Sequence, residues 1–516
     1  MSNPGSISSR PSKALHPESL SSRLNKVLGI GEITSRWSPV RLTVAATLVC
    51  GVLAIAYLFT HRKMPLGVVL GILPAALCML WVTLRKPAVA MLGMFVVNYF
   101  IMALGRYVRD IPIGTILDAA LFYNVLMVAV QAMVHRIEWR RIRSGITVAA
   151  LIWAVYCTLE LFNPLAVPAA WFTAVRSFAI YLLLIVVLTQ LTMGEFKWLR
   201  YMLAVWAVLT LIAVSKALIQ KFIGFNEAEK YWLYVLGARR THIIYSGIRY
   251  FSFFSDAANF GASMGMSMVV LSISALFYRN PWMKFFLFFT AAAACYGMLI
   301  SGTRSALAVP FAGYAAFVVL SRNARLAVAG VVALLSAFIF LNFTDIGQGN
   351  QIIRRARSAF NTDDASFNVR LENQARLRVL MADKPFGAGI GMGGGKAKNH
   401  APDAPLSQIP TDSWFVLIWV ETGVVGILIH VSLLLYVLAW GSFQVVFRLR
   451  NSQVRGLTAA LICGIAGLTL MSYANEVLGQ IPNGAIVYMS MAFIFMAPRF
   501  DRELTGEAEP LKIRRA

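Results

Sequence analysis

Charged side chains are scarce in this chain of 516 residues. They make up 14% of it, and Asp and Glu number only 23 against 47 Lys and Arg. A soluble domain carries about 25% charged residues, so the water-soluble globular classes are excluded. Cysteine is rarer still. Its five copies, Cys50, Cys78, Cys157, Cys295 and Cys463, all lie in apolar runs and none forms a CxxC pair, which excludes a disulfide framework and a cysteine-based metal site. No repeat of about 20–50 residues is visible, which counts against the paired-repeat architecture of many transporters. No apolar run precedes residue 40, so no cleavable signal peptide is expected.

What fills the chain is hydrocarbon. Apolar residues make up 58% of it, and runs of about 18 or more recur from residue 40 to residue 498, as membrane-spanning helices require. The expected fold is an all-α polytopic integral membrane protein of about 14 transmembrane helices, with a count of about 12–14 allowed by two tight turns. Charged and turn-rich breaks place the spans at 40–60, 64–84, 87–105, 114–134, 146–162, 171–191, 198–220, 257–278, 282–301, 304–321, 325–343, 412–440, 456–476 and 482–498. Residues 1–39 and 499–516 read as disordered tails. Residues 40–343 then hold spans 1–11 with an external segment at about 221–256, 344–411 form a large, partly helical loop, and 412–498 hold spans 12–14.

Short cytoplasmic loops retain Lys and Arg. With both termini cytoplasmic, the inner segments and their flanks hold 26 of the 47 basic residues, and the short outer loops hold five: Arg62, Lys63, Arg106, Arg109 and Arg304. Two long outer stretches hold 15, six from Lys216 to Arg249 and nine in 344–411; long loops cross largely regardless of charge. The net charge of +24 is therefore mostly topogenic, with clusters such as 135–143 set against anionic lipid headgroups. It calls for no nucleic acid. The basic excess outside is different, because topology does not require it.

Within that outer loop the spacing predicts a helix over 366–382, with Ser366 as its cap, Glu372 and Arg376 as an i,i+4 pair, and Leu377, Leu380 and Met381 as an apolar stripe. At about 100° per residue, Arg370 and Arg378 lie about 80° apart around its axis. Two guanidinium forks on neighbouring faces suit phosphate oxygens; a solvated charged helix explains the same spacing. The tract Gly387–Gly395 formally contains GxGxxG at Gly389, Gly391 and Gly394, but no strand or βαβ unit precedes it, so a dinucleotide site is rejected. Its backbone N–H groups are candidates for an anion nest, or the tract is a flexible turn. His400 is either a loop histidine or an acid–base group. Arg176 and Glu160, near the outer ends of adjacent spans, either neutralise each other or line a polar cavity; Asp118, Lys216, Glu421 and Glu476 are further costly ionisable residues in spans.

Four segments, RYFSFFSDAANFG (249–261), SGTRSAL (301–307), NVRLENQARLRVLMADKPFGAGIG (368–391) and TDSWFVLIWVETGVVGIL (411–428), occur in an order that resembles the O-antigen ligase and Wzy-type polysaccharide polymerase superfamily. The resemblance covers roughly 240–430 and implies a metal-independent, cofactor-free glycosyltransferase of the bacterial inner membrane, acting at the periplasmic face. It implies a donor and an acceptor carried on undecaprenyl pyrophosphate, and as partners membrane lipids and the chain-length regulator, flippase and export proteins of such a system. Arg249, Arg304 and Arg370 match the family's arginines; Arg378 is added from the helix spacing. Ligases place a catalytic histidine before the Gly-x-x-Gly element, here Gly423–Gly426; eleven residues before Gly423 stands Asp412, and His400 lies twelve residues earlier still. This departure favours the polymerase branch, with Asp412, Arg370 and His400 as candidate catalytic residues. A helix N-cap is the structural reading of Asp412. The alternatives are a ligase acting on lipid A–core and, less favoured, a lipid-linked oligosaccharide flippase or transporter.

Overall fold

The computed structural model describes residues 76–108, 113–134, 137–244, 247–358 and 365–506. The chain divides into two compact units, Met1–Val82 and Thr83–Ala516. Of the first, only the start of a short apolar helix, Ala76–Arg85, is described; the expected tail at 1–39, the span at 40–60, most of 64–84 and the part of the expected C-terminal tail beyond residue 506 lie outside the described residues, while 499–505, expected as the start of that disordered tail, continue the last helix.

The second unit is an all-α polytopic membrane protein. Its long helices are α1 (Pro87–Tyr107), α2 (Ile113–Met133), α3 (Gly145–Leu159), α4 (Pro168–Thr192), α5 (Phe196–Phe222), α6 (Ala257–Phe277), α7 (Pro281–Ile300), α8 (Ala308–Leu320) and α9 (Ala324–Phe343). Two helices of the long 344–411 loop come next, α10 (Gln351–Arg357) and α11 (Ala365–Leu380), and then α12 (Trp414–Phe443), α13 (Ser452–Met471) and α14 (Asn483–Thr505). Among the described residues ten helices are long and apolar enough to cross a membrane. In hydrocarbon a backbone has no water to bond, so helices, which pair their own N–H and C=O groups, are the form such runs take.

Local sequence sets the ends. Asn280, Asn323 and Asn451 cap α7, α9 and α13 by accepting from the first-turn N–H groups, and Pro87, Pro168 and Pro281 sit at first-turn positions that need no N–H. Helices α6 and α13 are deeply packed, each 78% buried over its apolar stretch, whereas no residue of the more apolar α9 is buried.

Three expectations change here. The span expected at 456–476 ends at Met471, so Glu476 lies in the loop beyond it rather than in a helix. Arg176 does not meet Glu160: its Nη1 donates to Asp118 Oδ2 at 2.6 Å, and Tyr181 Oη donates to the other oxygen at 2.6 Å. Glu160 instead accepts from Asn163 at 2.9 Å. Lys216 likewise has a partner, Glu229, at 2.9 Å. Ionisable groups in spans are expensive unless paired, and these pairs are built between segments that the sequence separates.

Candidate functional site

The long 344–411 loop delivers its residues through α11 and a tract that docks on α12. Helix α11 starts at Ala365, ahead of the Ser366 expected as its cap. The expected Glu372–Arg376 pair forms at 2.5 Å, and Leu377 and Met381 are buried against Val420 of α12. This seats the helix with Arg370 half-buried and Arg378 exposed to solvent.

The glycine tract is no anion nest over its first half. Its N–H groups go to the protein: Ala388 N donates to Val420 O at 2.8 Å, Gly389 N to Glu421 O at 3.1 Å and Gly393 N to Glu421 Oε1 at 3.2 Å. In return Val424 N donates to Pro385 O at 2.9 Å. The contact is possible because α12 is broken at Gly423, whose φ of 66° and ψ of −166° open the helix. A Cβ on Gly387 would lie 2.5 Å from the Glu421 carbonyl carbon, and one on Gly423 2.0 Å from Pro385 O. Backbone packs on backbone, which only glycine permits. The Pro-x-Gly-x-Gly and Glu-Thr-Gly elements are thus two halves of one joint.

Immediately before α12, Asp412 takes a left-handed φ of 54°. It does not cap the helix; Ser413 does, accepting from Val416 N. The Asp412 carboxylate is left for other work. It lines a polar cavity of about 280 Å³ together with Asp256, Asn475, Glu476 and Gln480. Asn373, three residues after Arg370 on α11, donates to Asp412 Oδ2 at 3.3 Å, and Thr411 Oγ1 hydrogen-bonds to Glu476 Oε1. Asp256 caps α6, accepting from Ala258 N at 2.7 Å and Asn259 N at 2.9 Å. Burial alone would raise its pKa, but the hydrogen bonds from Asn259 and Ser255 outweigh that and hold the carboxyl below its ordinary range.

The arginines stand beside this cavity. Arg249 donates from Nη1 to Thr241 O at 3.0 Å and from Nη2 to Thr303 Oγ1 at 2.9 Å, and its buried Nε has no hydrogen-bond partner. Burial lowers its pKa; Asp256 opposes the shift, and Arg304 and Arg370 add to it. Arg304 and Arg370, from two other segments, therefore both act electrostatically on Arg249, as does Asp256, which lines the cavity of Asp412. A second link runs through Ser305, next to Arg304, whose hydroxyl accepts from Asn475 Nδ2 at 2.5 Å.

His400 is placed elsewhere. Its Nε2 pairs with Thr173 Oγ1 of α4 at 3.2 Å, and it does not line the cavity of Asp412. Sequence reasoning missed Asn373, Asn475 and Gln480, and it treated Glu476 as a residue within a span. Asn373 had a signal, since it comes three residues after Arg370 and shares its helix face; the other three sit in the short loop after α13, where nothing in the sequence marks them.

The site thus defines a class: a polytopic membrane protein that carries arginines and carboxylates in the loops at the ends of its helices. Residues 289–431 match the family described as O-antigen ligase. The chain is also similar to an O-antigen polymerase of Salmonella muenchen, 25% identical over 187 residues, which is 34% of this chain and 43% of that protein. Both matches support the O-antigen ligase and Wzy-type polymerase superfamily for this chain. The family match takes in Arg304, Arg370, Asp412 and the joint at Gly423, and leaves Arg249 outside. The stretch shared with the polymerase is under half of that protein's length.

Proposed function

We propose that this protein polymerises oligosaccharide repeat units carried on undecaprenyl pyrophosphate, at the periplasmic face of the bacterial inner membrane, for O-antigen or exopolysaccharide synthesis. The observation that carries the proposal is the carboxylate-lined cavity of Asp412, tied to two arginine-bearing segments by Asn373, three residues after Arg370, which donates to Asp412, and by Ser305, next to Arg304, which accepts from Asn475. In this reading a hydroxyl of the acceptor glycan attacks C1 of the donor sugar. The C1–O bond to pyrophosphate breaks, and the electron pair leaves on the phosphate oxygen. The arginines, fixed before the reaction, stabilise that charge without a divalent metal, while Asp412, with Glu476 across the cavity, takes the hydroxyl proton. The role considered for His400 passes to this pair, because His400 contacts Thr173 instead. Both termini are cytoplasmic in this orientation.

A ligase is the second reading, favoured by the description of the matching family. The polymerase is preferred because an aspartate occupies the position where the resemblance leads one to expect a ligase histidine, and because the curated relative is an O-antigen polymerase. Cells lacking this protein distinguish the two. Single repeat units left on the carrier or the cell surface are the expected result. Long carrier-linked chains unattached to lipid A would make it a ligase, and unchanged glycan would defeat both readings.

A further inference from the structure

Helix α10 brings three more arginines to the outer face, and they are used differently. Arg354 is exposed, and Arg357 is tied back to its own segment, donating from Nη2 to Ile346 O at 2.7 Å and to Thr344 Oγ1 at 3.1 Å. Arg355 turns the other way, and its Nε donates to Gly302 O. A Cβ at Gly302 would meet Arg355 Nε at 3.0 Å and Arg249 Cγ at 3.3 Å. Arg304, two residues further on, lines the same small cleft with Gly302, Thr303, Ile352 and Arg355. Arginines from three separate segments thus meet around one turn: the Arg355 guanidinium and the Arg249 stem at Gly302, and Arg304 in the same cleft.

Guanidinium forks brought to one cleft suit the oxygens of an anion of two or more charges. The convergence shows in Arg355 itself, whose pKa is lowered to about 10, first by burial and then by Arg249 and Arg304. We propose that Arg355 is a further phosphate-binding residue, closing with Arg304 on the pyrophosphate of the lipid-linked donor. This rests on the reading of the arginine group as a pyrophosphate site. Arg355 reaches that site only because the segment before α11 folds back over the SGTRS turn, so its role is a property of this tertiary arrangement and not of a local motif.

The test is binding of inorganic pyrophosphate to the full chain in lipid nanodiscs, by calorimetry, with thermal unfolding measured in parallel. A charge-assisted hydrogen bond is worth enough that Arg355→Gln should weaken binding about tenfold or more, with Arg355→Lys intermediate and the unfolding temperature unchanged. Arg304→Gln serves as the reference for the underlying site. If Arg355→Gln binds pyrophosphate like the natural chain while Arg304→Gln loses it, Arg355 is not a ligand and the pyrophosphate site stands. Unchanged binding with a lowered unfolding temperature would make Arg355 only a strap between α10 and Gly302. If the natural chain binds no pyrophosphate, both proposals fall.

Discussion

The joint between the glycine tract and the broken helix α12 gives a sharp prediction. In Gly423→Ala the new residue inherits a φ of 66° and a ψ of −166°, a region open in practice to glycine alone, at about 1–3 kcal/mol. Its Cβ would lie 2.0 Å from Pro385 O, so the tract must withdraw or the helix must straighten. Either response breaks the hydrogen bonds Val424 N to Pro385 O, Ala388 N to Val420 O and Gly389 N to Glu421 O, each worth about 0.5–1.5 kcal/mol. The joint is therefore weakened by about 3–7 kcal/mol in all. Because the joint anchors the loop that leads into Asp412, the loop should open with its helices still formed. Hydrogen exchange at the amides of Ala388, Gly389 and Val424, in nanodiscs, reads this directly: protection should fall about a hundredfold or more, as 3 kcal/mol implies, and glycan synthesis should fall with it. Val425→Ala, at a half-exposed position beside the joint, is the control and should change neither. Equal protection and equal synthesis in Gly423→Ala would refute the joint.

Two further outcomes are expected from the same structure. His242 is buried, Nε2 accepts from Ala257 N at 3.2 Å, and Nδ1 faces Ala238 O at 2.9 Å, so the ring is held neutral, with burial pushing its pKa down to about 4. Unfolded, it titrates near 6.5, so between pH 6.5 and about 4 the unfolded chain binds the extra proton and stability falls as pH falls, by about 3 kcal/mol in total. Hydrogen exchange of the 221–256 segment should show that slope, and His242→Gln should flatten it; an unchanged slope would exclude His242 as its source. In Arg176→Leu, Asp118 loses its cationic partner and keeps the Tyr181 hydroxyl alone. A broken buried pair costs about 3–5 kcal/mol, reduced here to about 1–3 kcal/mol because both side chains are 35% exposed. The double variant with Asp118→Leu should recover most of the loss in thermal unfolding, and a purely additive double variant would show that the pair is not coupled.

Much of the fold was legible because hydrophobic length is a strong signal where the solvent is lipid. Each expected span from residue 87 to residue 498 coincides with a helix, although hydropathy could not see that α13 stops at Met471 and frees Glu476 into a loop. The site was legible in its parts and not in its assembly. Asp412 and Ser413 are adjacent and both are good caps, so only the backbone, left-handed at Asp412, shows which one is released. The glycine tract read as a surface for anions or a flexible turn because its partner, the break at Gly423, lies 28 residues beyond the Gly395 end of that tract, and nothing in the Gly423–Gly426 element says that it packs there. Arg355 sits in a run with Arg354 and Arg357, and nothing local says which one turns inward.

The most direct test of the account is a reconstituted polymerisation: the purified chain in bilayers, given undecaprenyl-pyrophosphate-linked repeat units alone. The account predicts a ladder of lengthening glycans, abolished in Asp412→Asn and Arg370→Gln and retained in His400→Ala. A natural chain that yields no ladder from such units, or an Asp412→Asn variant that yields the full one, would contradict it.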